Sequence, residues 1–273
     1  VGKTFTHQVV VITGAGGGIG RALALALSGR GARLALLDRD LDGLAGTIDA
    51  LPAAAREDAG TWACDVTVAQ QCDDVIAGVI ARFGGIDILI NNAGISQHSL
   101  ASDTSLDVLR RVMNVNFYGS VHCTLAALPS IRARRGMIAV MSSVAGFAPL
   151  VGRSAYAASK HALHGWFDTL RSELRGTGTG VMLVCPSFVR TDIDRHALSG
   201  DGGQALKDKP LVGDLAAPEA IAEAICDGLA RRERQLVPTK MAWSALWLNR
   251  IAPSLYERVM LKKQGAAYIK KSG

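Results

Sequence analysis

Tyr156 and Lys160 lie four residues apart within Ser154-Ala155-Tyr156-Ala157-Ala158-Ser159-Lys160-His161-Ala162-Leu163. Downstream, Leu163, Trp166, Phe167 and Leu170 recur at intervals of three and four, which predicts a helix. On that helix the phenol and the ammonium share one face. Such a pair can move protons, because a cation favours phenolate and draws a tyrosine pKa down from about 10 toward neutrality. A tyrosine–lysine spacing also occurs on many ordinary helices, so its meaning rests on what else the chain brings beside it. The histidines add no metal site: His161 and His164 are i and i+3 but lack a third ligand.

A second chemical signal lies near the start of the chain. Residues 7–13 (HQVVVIT) form a continuous apolar run that reads as a buried strand. Gly14-Ala15-Gly16-Gly17-Gly18-Ile19-Gly20 follows, then a helical stretch over 21–29, then a second strand over 33–37 that ends at Asp38. In such a βαβ unit, glycines let the backbone approach a pyrophosphate, and the helix N-terminus offers unpaired N–H groups and a positive dipole end. The spacing is T-G-x-x-x-G-x-G, on Thr13, Gly14, Gly18 and Gly20, because position 19 is Ile19. A carboxylate at Asp38 accepts hydrogen bonds from a ribose 2′-hydroxyl and repels a 2′-phosphate, so NAD is the expected cofactor. Arg39, directly after it, offsets part of that repulsion and leaves NADP open.

The elements that must position these residues alternate. Residues 41–51 read as a helix, 60–64 as a strand ending at Asp65-Val66-Thr67, and 68–83 as a helix. A strand over 86–90 ends in Asn91-Asn92-Ala93-Gly94, and a helix over 105–127 contains Asn114-Val115-Asn116-Phe117-Tyr118-Gly119. A strand over 137–141 ends at Ser142-Ser143, and another over 181–185 ends at Pro186-Ser187-Phe188-Val189-Arg190-Thr191. This alternation predicts an α/β fold with a parallel, doubly wound sheet of about seven strands. Ligands bind outside the carboxyl ends of such strands, where Gly14, Asp38, Asp65, Asn91, Ser143 and Pro186 all fall.

Taken in order, these motifs resemble the short-chain dehydrogenase/reductase family. The matching residues are Thr13-Gly14-x-x-x-Gly18-x-Gly20, Asn91-Asn92-Ala93-Gly94, Asn116, Ser143, Tyr156-x-x-x-Lys160 and Pro186-x-x-Val189-x-Thr191. The resemblance spans roughly residues 8–191, and it departs from the family at Ser187, where glycine is usual. It implies a Rossmann-like fold and an NAD(P)-dependent enzyme acting on CH–OH groups. Tyr156 would be the general acid/base, Lys160 would lower its pKa and bond the nicotinamide ribose, and Ser143 would hold the substrate oxygen. Asn116 would hold a water that links Lys160 to solvent, with Asn114 the weaker alternative. Gly16, Gly17 and Ile19 would complete the phosphate turn. Asp65 and Val66 would contact adenine, while Asn91, Asn92, Ala93 and Gly94 would pack the cofactor's middle. Val189 and Thr191 would hold the carboxamide, with Pro186 and Ser187 also at the cofactor. A homodimer or homotetramer with an interface at the helices around Asn116 and Tyr156 is also implied.

Bulk properties narrow the class further. A composition of 49% hydrophobic and 20% charged residues is that of a globular chain. There is no run of 18 apolar residues, so no spanning helix is expected, and the run at 9–12 is too short for a signal peptide. Cys64, Cys72, Cys123, Cys185 and Cys226 are odd in number and widely spaced, which suits reduced thiols and a cytoplasmic location. Of the net charge of +6, residues 231–273 contribute ten Lys/Arg against Glu233 and Glu257, so the preceding 230 residues carry about −2. Nucleic-acid binding by that body is not expected.

We expect one domain over 1–239, with 192–217 as a substrate lid, a helix over 218–232 and a short last strand at 236–238. Residues 240–273 form a basic helical extension with an apolar stripe of Trp243, Leu246, Trp247 and Ile251, continued by Leu255, Tyr256 and Val259. Such a segment can lie in a membrane interface, cover the cleft or meet another subunit, and each favours a lipophilic alcohol/ketone substrate. The expected activity is hydride transfer between nicotinamide and a secondary alcohol or ketone. The alternatives are a non-catalytic dinucleotide sensor or scaffold, and a membrane-surface lipid binder.

Overall fold

A computed structural model describes residues 4–205, 215–265 and 268. Seven parallel strands form one sheet in the order β3-β2-β1-β4-β5-β6-β7. They are β1 (Val9–Thr13), β2 (Arg33–Asp38), β3 (Ala59–Ala63), β4 (Ile88–Asn91), β5 (Met137–Met141), β6 (Gly180–Val184) and β7 (Gln235–Leu236). Strand β1 sits between β2 and β4, with Val11 opposite both Ala35 and Leu89. The strand order reverses at β1, and this switch point is where open α/β sheets bind ligands.

The apolar runs are continuous because both faces of the sheet are covered. Successive side chains of a strand point to opposite faces. Val10 and Ile12 of β1 therefore pack with Leu23 and Leu27 of α1 (Gly18–Gly29) and with Ile225 and Leu229 of α8 (Pro218–Ala230). Val9 and Val11 pack on the other face with Val79 of α4 (Ala69–Phe83), Ile131 of α6 (Gly119–Ala133) and Phe167 of α7 (Ser154–Glu173). Arg30 ties the first of these layers together, bonding Glu223 at 2.5 Å and Asp227 at 2.7 Å from a buried position. All five cysteines are buried, unpaired thiols.

Several elements differ from the sequence reading. The helix expected over 105–127 is α5 (Leu106–Met113) running into α6, and it widens into a π-turn at Asn114–Tyr118. It continues past Pro129 to Ala133 because Ile131 belongs to the core. The last strand is only Gln235–Leu236, and α8 ends at Ala230. Leu41–Ala50 (α2) is followed by a short turn, Ala53–Arg56 (α3). The C-terminal extension forms two helices, α9 (Lys240–Ile251) and α10 (Pro253–Gln264). Pro253 separates them: its ring suits the first turn of α10 and lacks the N–H that a continuous helix needs. Of the expected lid, residues 206–214 lie outside the described residues. Leu198 pairs there with Gln97 and Gln204. Among the described residues no helix is long and apolar enough to cross a membrane, and no His/Cys/Asp/Glu group could hold a metal.

Candidate active site

The carboxyl ends of the central strands open on one cleft of about 660 Å³. At its first end lies the glycine turn between β1 and α1. Gly14 and Gly18 have φ of +66° and +52°, which suits residues without a Cβ. A Cβ on Gly20 would collide with the Gly14 carbonyl oxygen. Helix α1 starts from Gly17 with no side-chain cap and no acidic residue in its first turn. Its first N–H groups are thus left for an anion, and Gly17 faces open space where a phosphate would sit. A pyrophosphate fits this cradle.

Neighbouring residues brace the turn. The Asp38 carboxylate accepts from Gly16 N at 2.8 Å and from Asp40 N at 3.1 Å, which fixes it across the loop. Arg21 donates to Gly16 O at 2.7 Å and Gly43 O at 3.2 Å, and so clamps the turn onto α2. The Thr13 hydroxyl accepts from Asn92 N and Ala93 N, both at 3.0 Å. The Asn92 amide donates to Thr13 O at 2.9 Å and Gly14 O at 3.0 Å. Thr13, Gly20 and Asn91 therefore build the wall, with Asn91 donating to Thr124 at 2.8 Å. Gly14, Gly16, Gly17, Gly18, Ile19, Asp38, Arg39, Asp65, Val66, Asn92, Ala93 and Gly94 face the cleft itself. Burial raises the Asp65 carboxyl, but its bonds to Thr67 and the nearby Arg39 charge hold it below its ordinary value.

At the other end, Ser143 after β5 and Tyr156 and Lys160 of α7 reach the cleft, and Pro186, Ser187, Val189 and Thr191 complete the lining. Tyr156 and Lys160 are buried on one face of α7. Ser143 sits at the end of β5, where its hydroxyl caps the turn Val144–Gly146 by accepting from Ala145 N at 3.2 Å. It also lies near enough to Tyr156 to draw its phenol down. Lys160 Nζ donates to Met141 O at 2.7 Å and lies 5.4 Å from the Tyr156 ring centre. Burial pushes the Lys160 ammonium down to about 8.

Asn116 does not line the cleft. Its Oδ1 accepts from Ile95 N at 2.8 Å, and its Nδ2 donates to Ile95 O at 3.0 Å and Ser159 Oγ at 2.9 Å. The π-turn at Asn114–Tyr118 aims it there. Gly94 lies close to both Asn116 and Lys160: a Cβ on it would lie 3.3 Å from Asn116 Oδ1 and 3.7 Å from Lys160 Nζ.

One cluster escaped the sequence reading. Arg153, three residues before Tyr156, is buried with its guanidinium carbon 6.0 Å from the Tyr156 ring centre and 5.6 Å from that of Phe188. It donates to Asp194 at 2.9 Å and to Ser96 Oγ at 3.2 Å, and Asp194 also meets His98 Nε2 at 3.1 Å. Burial raises the Tyr156 phenol above its ordinary value, against the pull of Arg153 and of Ser143. Arg153 is thus a positive charge that pulls the phenol down, partly offset by its partner Asp194. Arg153→Gln keeps a donor and removes the charge, which raises the Tyr156 pKa. The midpoint of the rise of kcat with pH in alcohol oxidation is expected to move to higher pH; an unmoved midpoint would contradict the role.

The arrangement has relatives. The sequence profile of the family described as short chain dehydrogenase matches residues 8–201. Dehydrogenase/reductase SDR family member 7B of Bos taurus is 36% identical over 264 residues, 94% of this chain and 81% of that protein. The protein of the same name from Danio rerio is 35% identical over 263 residues, 94% of this chain and 85% of its own. A solved short chain dehydrogenase/reductase from Burkholderia phymatum, in complex with NAD, superposes with a TM-score of 0.82 at 27% identity over 92% of this chain and 96% of that one. The seven-stranded parallel sheet agrees with these matches, and the chain belongs to the short-chain dehydrogenase/reductase family.

Proposed function

We propose that this protein interconverts a lipophilic secondary alcohol and its ketone with NAD as hydride carrier. The observation that carries the reading is continuity: one cleft joins the glycine turn and Asp38 to Ser143, Tyr156 and Lys160. Beyond Tyr156 its walls include Ile95, Val144, Leu150, Phe188, Ile193 and Leu198, apolar surface that suits a hydrocarbon-rich substrate, beside the polar Arg153, Asp194 and His196.

Bound nicotinamide would supply the hydride acceptor in oxidation and the donor in reduction. The chain's residues do the remaining work. Ser143 holds the substrate oxygen beside Tyr156. In oxidation the ionised Tyr156 takes the alcohol proton as the carbinol C–H pair leaves as hydride; in reduction its hydroxyl returns that proton to the carbonyl oxygen. Acid/base assistance of this kind is worth ~10²–10⁴-fold, with positioning adding more. Lys160 would hold the nicotinamide ribose, and Asp38 the adenosine ribose.

Asp38 supports NAD, since its carboxylate would face a 2′-phosphate at close range. Arg39 lies close enough for its charge to act on Asp65 as well. Asp38→Ala is expected to weaken NAD at least ~10-fold and to relax discrimination against NADP, given the strength of charge–charge repulsion at such range. A wild-type preference for NADP in steady-state kinetics would contradict this part. Activity itself is tested by screening secondary alcohols, sterols and long-chain hydroxy compounds for NADH formation. The reading expects turnover with an apolar member of that set; saturable NAD binding without turnover on any would leave a dinucleotide sensor in its place.

A homo-oligomer is part of the proposal. Tyr118 and Leu125 are exposed on the π-turn and α6, and Phe117, Trp166 and Leu170 line a groove beside them.

A further inference from the structure

The C-terminal hairpin has two apolar faces, and only one of them is used. On the inner side, Ala245 and Leu248 of α9 and Tyr256 and Met260 of α10 pack on Val144, Ala145, Ala148, Leu150 and Tyr156. Two bonds pin the contact: Asn249 Nδ2 donates to Phe147 O at 2.9 Å, and the Tyr256 hydroxyl donates to Pro149 O at 3.1 Å. The hairpin thus roofs the loop between Ser143 and α7.

The outer side has no partner among the described residues. Trp243, Trp247 and Ile251 repeat every four residues along α9 and are 48%, 54% and 75% exposed. Lys240 and Arg250 fall on the same stripe at helical spacing. Leu255 and Leu261 of α10 are 50% and 48% exposed, beside exposed Arg258, Lys262 and Lys263. Scattered exposed apolar residues need no explanation, but a contiguous stripe with two tryptophans marks a contact surface.

We propose that this outer face docks on an anionic phospholipid bilayer. Charge decides between that surface and a second copy of the chain. Residues 240–264 carry five Lys/Arg against a single acid, Glu257. A two-fold contact through this face would set the cations against themselves. An anionic lipid surface instead attracts each of them, while tryptophans settle at the headgroup level and the aliphatic side chains enter the acyl boundary. Docking would leave roughly one helix diameter, about 10 Å, between the lipid and the cluster that contains Tyr156. The docking does not depend on the reaction assigned to the cleft.

Flotation of the full chain tests it, with vesicles of phosphatidylcholine containing phosphatidylserine compared with phosphatidylcholine alone. The wild type should float with the anionic vesicles, and its tryptophan emission should shift to the blue. Trp243→Gln/Trp247→Gln should lose at least ~10-fold in vesicle affinity with an unchanged melting temperature, because both side chains are exposed. Lys240→Glu/Arg250→Glu provides a second, electrostatic variant that should lose affinity similarly at low salt. No flotation of the wild type, or equal flotation of both variants, overturns the proposal. So does loss of a dimer in the tryptophan variant, in sedimentation, when the wild type ignores vesicles; the face would then join two copies.

Discussion

Tyr156→Phe is expected to lower kcat by at least ~10²–10⁴-fold while NAD binding and the melting temperature stay close to wild type. The phenol is buried against Val144, Ala145 and Leu150, so the phenylalanine ring fills the same space and the packing survives. What disappears is the hydroxyl proposed to exchange the substrate proton. Loss of kcat with unchanged cofactor affinity, measured by tryptophan quenching, separates a chemical role from a structural one. A fully active variant would remove Tyr156 from the mechanism.

Lys160→Met is expected to abolish turnover and to stabilise the fold at neutral pH. Burial lowers the ammonium from its ordinary 10.5 to about 8, so the folded state holds this proton less tightly than the unfolded chain. At one pKa unit per 1.36 kcal/mol, keeping the charge costs about 3 kcal/mol below pH 8. The orphaned Met141 carbonyl takes back part of this, leaving a net gain of about 1–2 kcal/mol at pH 7. The sign with pH is fixed. Between about 8 and 10.5 the unfolded wild type binds more protons than the folded one, so wild-type stability rises with pH and the variant's advantage shrinks. Denaturant unfolding of both proteins across that range checks it. A variant less stable at pH 7, or a difference that does not change with pH, would show that the folded chain holds the Lys160 proton as tightly as the unfolded one.

How much of this was legible in the sequence depends on range. The glycine turn is local: an apolar run, glycines at fixed offsets and Asp38 at the next strand end are all visible within one βαβ unit, and the structure assembles them as read. Tyr156 and Lys160 are likewise joined by helical spacing alone. Arg153, Asp194 and His98 are not, because Asp194 is separated from Arg153 by 41 positions and from His98 by 96, and it lies in a segment without periodicity. The position of Asn116 was visible, but its bonds to Ile95 and Ser159 depend on a π-turn that no spacing rule announces. The tryptophan stripe of α9 was plain in the sequence, whereas its direction was not: an apolar helix face does not reveal which side meets the core until the loop at 144–150 is placed beneath it.

The most direct test of the central claim follows the hydride itself. A secondary alcohol that the wild type turns over, deuterated at its carbinol carbon, is incubated with NAD, and the reduced nicotinamide is weighed by mass spectrometry. The account predicts that the wild-type product carries the deuterium and that Tyr156→Phe forms almost none of that product. Reduced nicotinamide without deuterium, or deuterium transfer by Tyr156→Phe at the wild-type rate, would contradict it.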